Sequence, residues 1–127
     1  MNRIVAPTTI APPAARYALG VLSEGPSRLL HTAGIVGARP DGIVPDDLAE
    51  QAAIVWESIL AILGEAGMAV SDIVSMTTYV VAGEDLAPVM AARDRVMGDH
   101  LVASTLVTVP ALARPAWRVE VAVIAAR

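Results

Sequence analysis

An α+β fold in the order ββαβαββ is what the sequence predicts, on three observations. Two stretches, beginning near Asp47 and near Asp85, carry apolar residues at helical spacing. Five other runs are apolar or β-branched and have the length of strands. Gly- and Pro-rich turns separate them. Strands and helices in that order make a sheet with both helices on one face.

Residues 1–14, rich in Pro, Ala and Thr, read as an irregular lead-in. Arg16 to Leu22 reads as a short strand, and Ser23-Glu24-Gly25-Pro26-Ser27 has turn chemistry. The apolar run Leu29 to Val36 then completes an expected N-terminal hairpin. Arg39-Pro40-Asp41-Gly42 marks a second turn. The first helix starts at Asp47, with Glu50 three residues on in the pattern of a capping box. Leu48, Ala52, Val55, Ile59, Ile62 and Ala66 share its inner face, and Gly67 stops it.

Asp72 to Val81 is dense in β-branched residues and reads as a strand. Glu84 or Asp85 caps the second helix, which shows Leu86, Val89, Met90, Arg93 and Val96 or Met97 along one side and ends at Gly98. Ala103 to Val109 and Trp117 to Ala125 are the last two strands. In the final one Trp117, Val119, Val121 and Val123 share a face, with Arg118 and Glu120 on the other. No linker or repeat divides the chain, so residues 1–127 are expected to form a single domain.

The 127 residues are 55% hydrophobic and 17% charged, against about 45–50% and about 25% in ordinary globular chains. So small a domain cannot hide that much apolar surface within itself, and burial between subunits of a homo-oligomer is expected. No apolar run approaches the roughly 20 residues that span a bilayer, so no membrane partner is expected. The first residues do not read as a signal peptide, which gives a cytoplasmic location as the expectation. A net charge of −4 and 3% aromatic residues argue against nucleic acid as a partner. Cysteine is absent, which excludes thiolate nucleophiles and Cys-based metal sites.

No GxGxxG, P-loop, HExxH or GxSxG motif is present, and no cofactor is expected. His31 and His100 lack partners at metal-ligand spacing, so no metal site is expected either. His31 reads as a core or interface histidine and His100 as a solvated one. Glu120 stands out, because a carboxylate inside an apolar strand loses hydration if buried without a partner. It either faces solvent or a neighbouring-strand Arg, or it lines a pocket and deprotonates a water. Tyr17 and Tyr79 lie in strand-like contexts, and Arg114 sits in the loop before the last strand as a candidate anion clamp.

Four stretches in order carry a family resemblance: Glu50-Gln51, Leu63-Gly64-Glu65-Ala66-Gly67, Val74-Ser75-Met76-Thr77-Thr78-Tyr79, and Leu112 to Val121 with Ala113-Arg114-Pro115. From Tyr17 to Ala125 the chain resembles the RidA/YjgF family of reactive-intermediate deaminases, also called L-PSP endoribonucleases. The resemblance implies a chorismate-mutase-like fold, a homotrimer whose sheets form a central barrel, and small-molecule clefts between subunits. In active members an Arg holds the carboxylate of a 2-imino acid and a Glu on the last strand positions the hydrolytic water, giving a 2-oxo acid and ammonia.

Residue by residue, Tyr17 matches the family's Tyr, Gly34 its Ser-Gly-Gln glycine and Glu120 its water-positioning Glu, while Met90 stands where many members have Asn. Val102-Ala103-Ser104-Thr105 replaces Pro-Ala-Arg-Thr/Ser, putting Ser104 at the substrate-binding Arg. Losing such a charged partner costs about 1.5–3 kcal/mol, or roughly 10–150-fold in binding. Arg93 and Arg114 are the surrogate cations to consider. Two readings follow: a deaminase of reactive imines or enamines acting through Glu120, and a non-catalytic trimer binding a less anionic metabolite. Ribonuclease activity, the third role attached to the family, has little support from the acidic balance.

Overall fold

The computed structural model describes residues 1–127. From the first helix onward the elements follow the expected order. Helix α1 spans Leu48–Glu65, strand β5 Ile73–Val81, helix α2 Ala87–Met97, strand β6 Ala103–Val109 and strand β7 Val119–Ala126. Four short strands precede them: β1 at Asn2–Val5, β2 at Gly20–Ser23, β3 at Leu29–His31 and β4 at Ile35–Val36.

Strand β7 is the hub of the main sheet. It pairs antiparallel with β5 on one side and with β3 and β4 on the other, while β6 lies parallel to β5 at the edge. Helix α2 makes the crossover that a parallel β5–β6 pair requires. Met76, Val80, Val119, Val121 and Val123 share one face of this sheet and form a single buried cluster with Val55, Ile59 and Leu63 of α1 and Val89 and Ala92 of α2. Both helices therefore cover the same face, as the sequence predicts. Each large aliphatic side chain so buried contributes about 1.5–3 kcal/mol.

Local signals explain the helix limits. The Asp47 carboxylate accepts from the Glu50 amide at 3.1 Å, but the Glu50 side chain turns away to Arg39, so the capping box is only half formed. Gly67 takes a left-handed φ of 65°, which an L side chain resists. At α2, Asp85 accepts from the Ala87 amide at 3.0 Å just before the helix.

The N-terminal region departs from expectation. The lead-in is not irregular throughout, since Asn2–Val5 pairs antiparallel with Gly20–Ser23 as a separate two-stranded sheet. The expected hairpin between the first two predicted strands does not form. The amides of Ser27 and Arg28 donate to the Arg127 carbonyl instead, and this seats the following run beside β7. That run is also split. His31 lies opposite Ile124 and Ile35 opposite Val121, so four steps on one strand match three on the other. The Thr32 hydroxyl fills the gap, accepting from the Val123 amide at 3.0 Å and donating to the Ala33 carbonyl at 2.8 Å.

Candidate functional site

The structure brings Tyr17, Arg93 and Ser104 to one cavity of about 430 Å³, walled by Leu86 at the N-cap of α2, Met90 of α2 and Leu106 of β6. Each is placed by a neighbour in the fold. Ser104 lies opposite Met76 on the helix-covered side of the sheet, at its β6 edge. Tyr17 is held next to β6 by a single bridge in which the Ala18 amide donates to the Val102 carbonyl at 2.8 Å. Its hydroxyl accepts from the Ala14 amide at 3.2 Å.

Arg93 comes from α2 and is 9% exposed. Its Nε and Nη2 both donate to Oδ1 of Asp94, at 3.1 and 2.9 Å. Nη1 has no partner within the chain, and since every fully buried side-chain nitrogen has one, Nη1 reaches open space. A void of about 10 Å³, the size of one water, continues from the cavity. Arg93 and Ser104 line both spaces, and Arg16 closes the smaller one while pairing with Asp99 at 3.7 Å.

Gly34 and Glu120 form a second cluster. A Cβ built on Gly34 would collide with the Glu120 carboxylate, lying 2.6 Å from Cδ and 2.9 Å from Cγ, so the acid rests directly on the glycine. The extra residue between β3 and β4 lifts Gly34 into that position. Glu120 is half-buried and makes no ion pair. The nearest Arg in sequence, Arg118, is engaged by Glu84 at 2.9 Å. Pairing with a neighbouring-strand Arg is thus not realised within one chain.

The two clusters are separate within one chain. Glu120 is paired with Tyr79 and Ser104 with Met76, three residues apart along β5, or about 10 Å, and on opposite faces of the sheet. Arg114 joins neither. It is exposed, with its guanidinium 5.3 Å from the centre of the Trp117 ring. His31 is exposed on β3, so of the core and interface positions expected for it the core one is not realised. His100 is not simply solvated, because its Nε2 lies 2.8 Å from the Ile73 carbonyl. No three His, Asp or Glu side chains come together as a metal site, and no helix is long and apolar enough to cross a membrane.

Gln51 has a role that sequence reasoning missed. Its buried amide donates to the carbonyls of Pro45 and Ala116, at 2.8 and 3.0 Å, and accepts from the Arg118 amide at 3.1 Å. It thereby ties the start of α1 to the segment that leads into β7 and Glu120. Its signal was available: a polar residue three after Leu48, on the apolar stripe of α1. Arg16 was also missed, and nothing in its local sequence marks it.

Comparison with known proteins places this arrangement. The model of the family described as Endoribonuclease L-PSP matches residues 8–127. A Yersinia pestis protein of the conserved Rid family, YyfB, of unknown function, is 28% identical over 99% of this chain and 98% of its own, with a TM-score of 0.86. Escherichia coli TdcF, solved with bound serine, is 25% identical over 98% of each chain, with a TM-score of 0.73. Rv2704 of Mycobacterium tuberculosis, from the YjgF/YER057c/UK114 family, is 25% identical over the full length of both, with a TM-score of 0.67. Among curated proteins, none matches the sequence.

Proposed function

This chain belongs to the Endoribonuclease L-PSP family, the Rid/YjgF group, and on that premise we propose that it hydrolyses a reactive imine or enamine metabolite to a carbonyl compound and ammonia. The observation that carries the reading is Glu120, a carboxylate free of any cation and seated on Gly34. In the proposed reaction a protonated imine is already electrophilic. Glu120 takes a proton from water as the water oxygen bonds to the imine carbon and the C=N electron pair moves to nitrogen. Protonated Glu120 returns that proton to the amino nitrogen of the resulting carbinolamine and then accepts the hydroxyl proton as the C=O bond forms, the C–N bond breaks with its electron pair on nitrogen, and ammonia leaves. Orientation and one carboxylate that accepts and returns a proton suffice for both steps.

The active assembly in this reading is a homotrimer with clefts between subunits. Two features support it. The Ser104 and Glu120 clusters face opposite ways in one chain, so a small ligand meets both only if neighbouring copies contribute one each. The uncovered face of the sheet carries Tyr79, Val107, Ala122 and Ile124, apolar side chains left half-buried or exposed in a single copy. In the cleft, Arg93 Nη1 and the Ser104 hydroxyl replace the family's Arg as the hold on a carboxylate, beside Tyr17. The bound serine of TdcF is compatible with a ligand of amino-acid size.

A second reading, a metabolite-binding trimer without turnover, is favoured by Ser104 itself, because a hydroxyl supplies neither the charge nor the fork of a guanidinium. One assay separates them. An amino-acid oxidase generates 2-imino acids in the presence of semicarbazide, and the deaminase reading expects semicarbazone to fall in proportion to added protein. A folded trimer with no effect on semicarbazone overturns it and leaves the binding reading.

A further inference from the structure

Arg118 stands two residues before Glu120, and the pairing with β5 runs back to it: the Val81 amide donates to the Arg118 carbonyl at 3.0 Å. Side chains two apart on a strand share one face and lie about 7 Å from each other. The Arg118 guanidinium is therefore within reach of the Glu120 carboxylate. It is held elsewhere, because its Nη1 donates to Oε1 of Glu84 at 2.9 Å, with the two side chains only 27% and 25% exposed. Glu84 is delivered by the turn after β5, where Gly83 takes a left-handed φ of 93° and the Glu84 amide donates to the Val81 carbonyl at 3.3 Å. The other groups set against Glu120 bring no cation: Tyr79 lies opposite on β5, Val36 opposite on β4, and Gly34 touches the carboxylate. His31 is paired with Ile124, four residues further along β7.

We propose that Glu84 is a positioning residue that acts through Arg118: by holding the guanidinium, it keeps the Glu120 carboxylate free to accept a proton from water. The inference rests on the hydrolytic reading of Glu120 and adds a residue to it. A carboxylate paired with a guanidinium becomes a weaker base, because an opposite charge within about 4–6 Å favours the ionised form. Its oxygens are also occupied by the N–H donors of the fork and no longer meet water. With Glu84 removed, the partly sheltered guanidinium meets Glu120 as the next carboxylate on its face. The ion pair between Glu84 and Arg118 thus guards the proton acceptor without touching the substrate.

The test compares wild type, Glu84→Ala, Arg118→Leu and the double variant, by crystal structure at neutral pH and by the semicarbazone assay. In Glu84→Ala the Arg118 guanidinium is expected within about 3 Å of a Glu120 oxygen. Turnover is expected to fall about tenfold, with the acid limb of its pH profile moved to lower pH. Removing Arg118 as well restores both, and Arg118→Leu alone leaves both unchanged, a pattern that a merely structural role of Glu84 would not produce. Glu84→Gln, which keeps the shape and drops the charge, provides the same comparison should Glu84→Ala not fold. An Arg118 that stays clear of Glu120, unchanged turnover in Glu84→Ala, or a loss that the double variant does not repair overturns the inference and leaves the role of Glu120 standing. Absence of turnover in the wild type overturns the hydrolytic reading instead, and the crystal comparison then still decides whether Glu84 holds Arg118 away from Glu120.

Discussion

The Glu120 cluster and the Ser104 cluster are built on different kinds of support. Glu120 stands on β7, paired on both sides and buried on its helix face, with Gly34 pressed against its carboxylate. Ser104 lies on an edge strand, and its partners come from α2 and from an irregular segment joined to the sheet by one bridge. The first cluster fixes one acid in one place. The second assembles several weak contributors on elements with fewer constraints. Chemistry that needs a placed proton acceptor suits the former, and variation in ligand suits the latter.

Five substitutions probe this contrast. Glu120→Gln keeps shape and removes the proton acceptor, so turnover is expected to fall about 10²–10⁴-fold while the affinity for a 2-oxo acid holds. Equal losses in turnover and affinity would make Glu120 a binding residue instead. Gly34→Ala forces the Glu120 carboxylate aside; because the obstructing atoms end a flexible side chain, we expect roughly a 10²-fold loss of kcat with little change in melting temperature. On the other cluster, Arg93→Ala is expected to weaken anion binding about 10–150-fold, with Arg114→Ala leaving it unchanged. The reverse pattern would move the clamp to Arg114. Gln51→Ala strands two carbonyls and the Arg118 amide, and a destabilisation of about 1–3 kcal/mol is expected in a denaturant titration.

The same contrast explains what could be read in the sequence. Helix α1, helix α2 and strands β5, β6 and β7 follow from periods of 3.6 and 2 written in their own residues. The N-terminal strands do not, because their partners lie elsewhere: β3 and β4 pair with β7 about three-quarters of the chain away, and β2 pairs with a segment that reads as a tail. Family resemblance located Tyr17, Gly34, Ser104 and Glu120 along the chain. It carried no information on which side of the sheet each would face in this chain. That follows from the register, in which Met76 lies beside Ser104 while Tyr79 lies beside both Val107 and Glu120. The placement of Arg93 beside Ser104, with Arg114 left stacked on Trp117, likewise depends on packing between elements.

The extra residue between β3 and β4 has a consequence for how this segment tolerates change in length. Leu30 and Ile35 both pack against the core, yet they are five residues apart, an odd spacing that an unbroken strand would send to opposite faces. The residues 32–34 therefore act as a parity switch. Deleting any one of them would bring the two to an even spacing and let the strand run unbroken beside β7 with Leu30 and Ile35 both still inward, but it would remove the bulge and shift Gly34 or its replacement off the Glu120 carboxylate. Loss of one residue from this loop is thus expected to spare the core while displacing the candidate site.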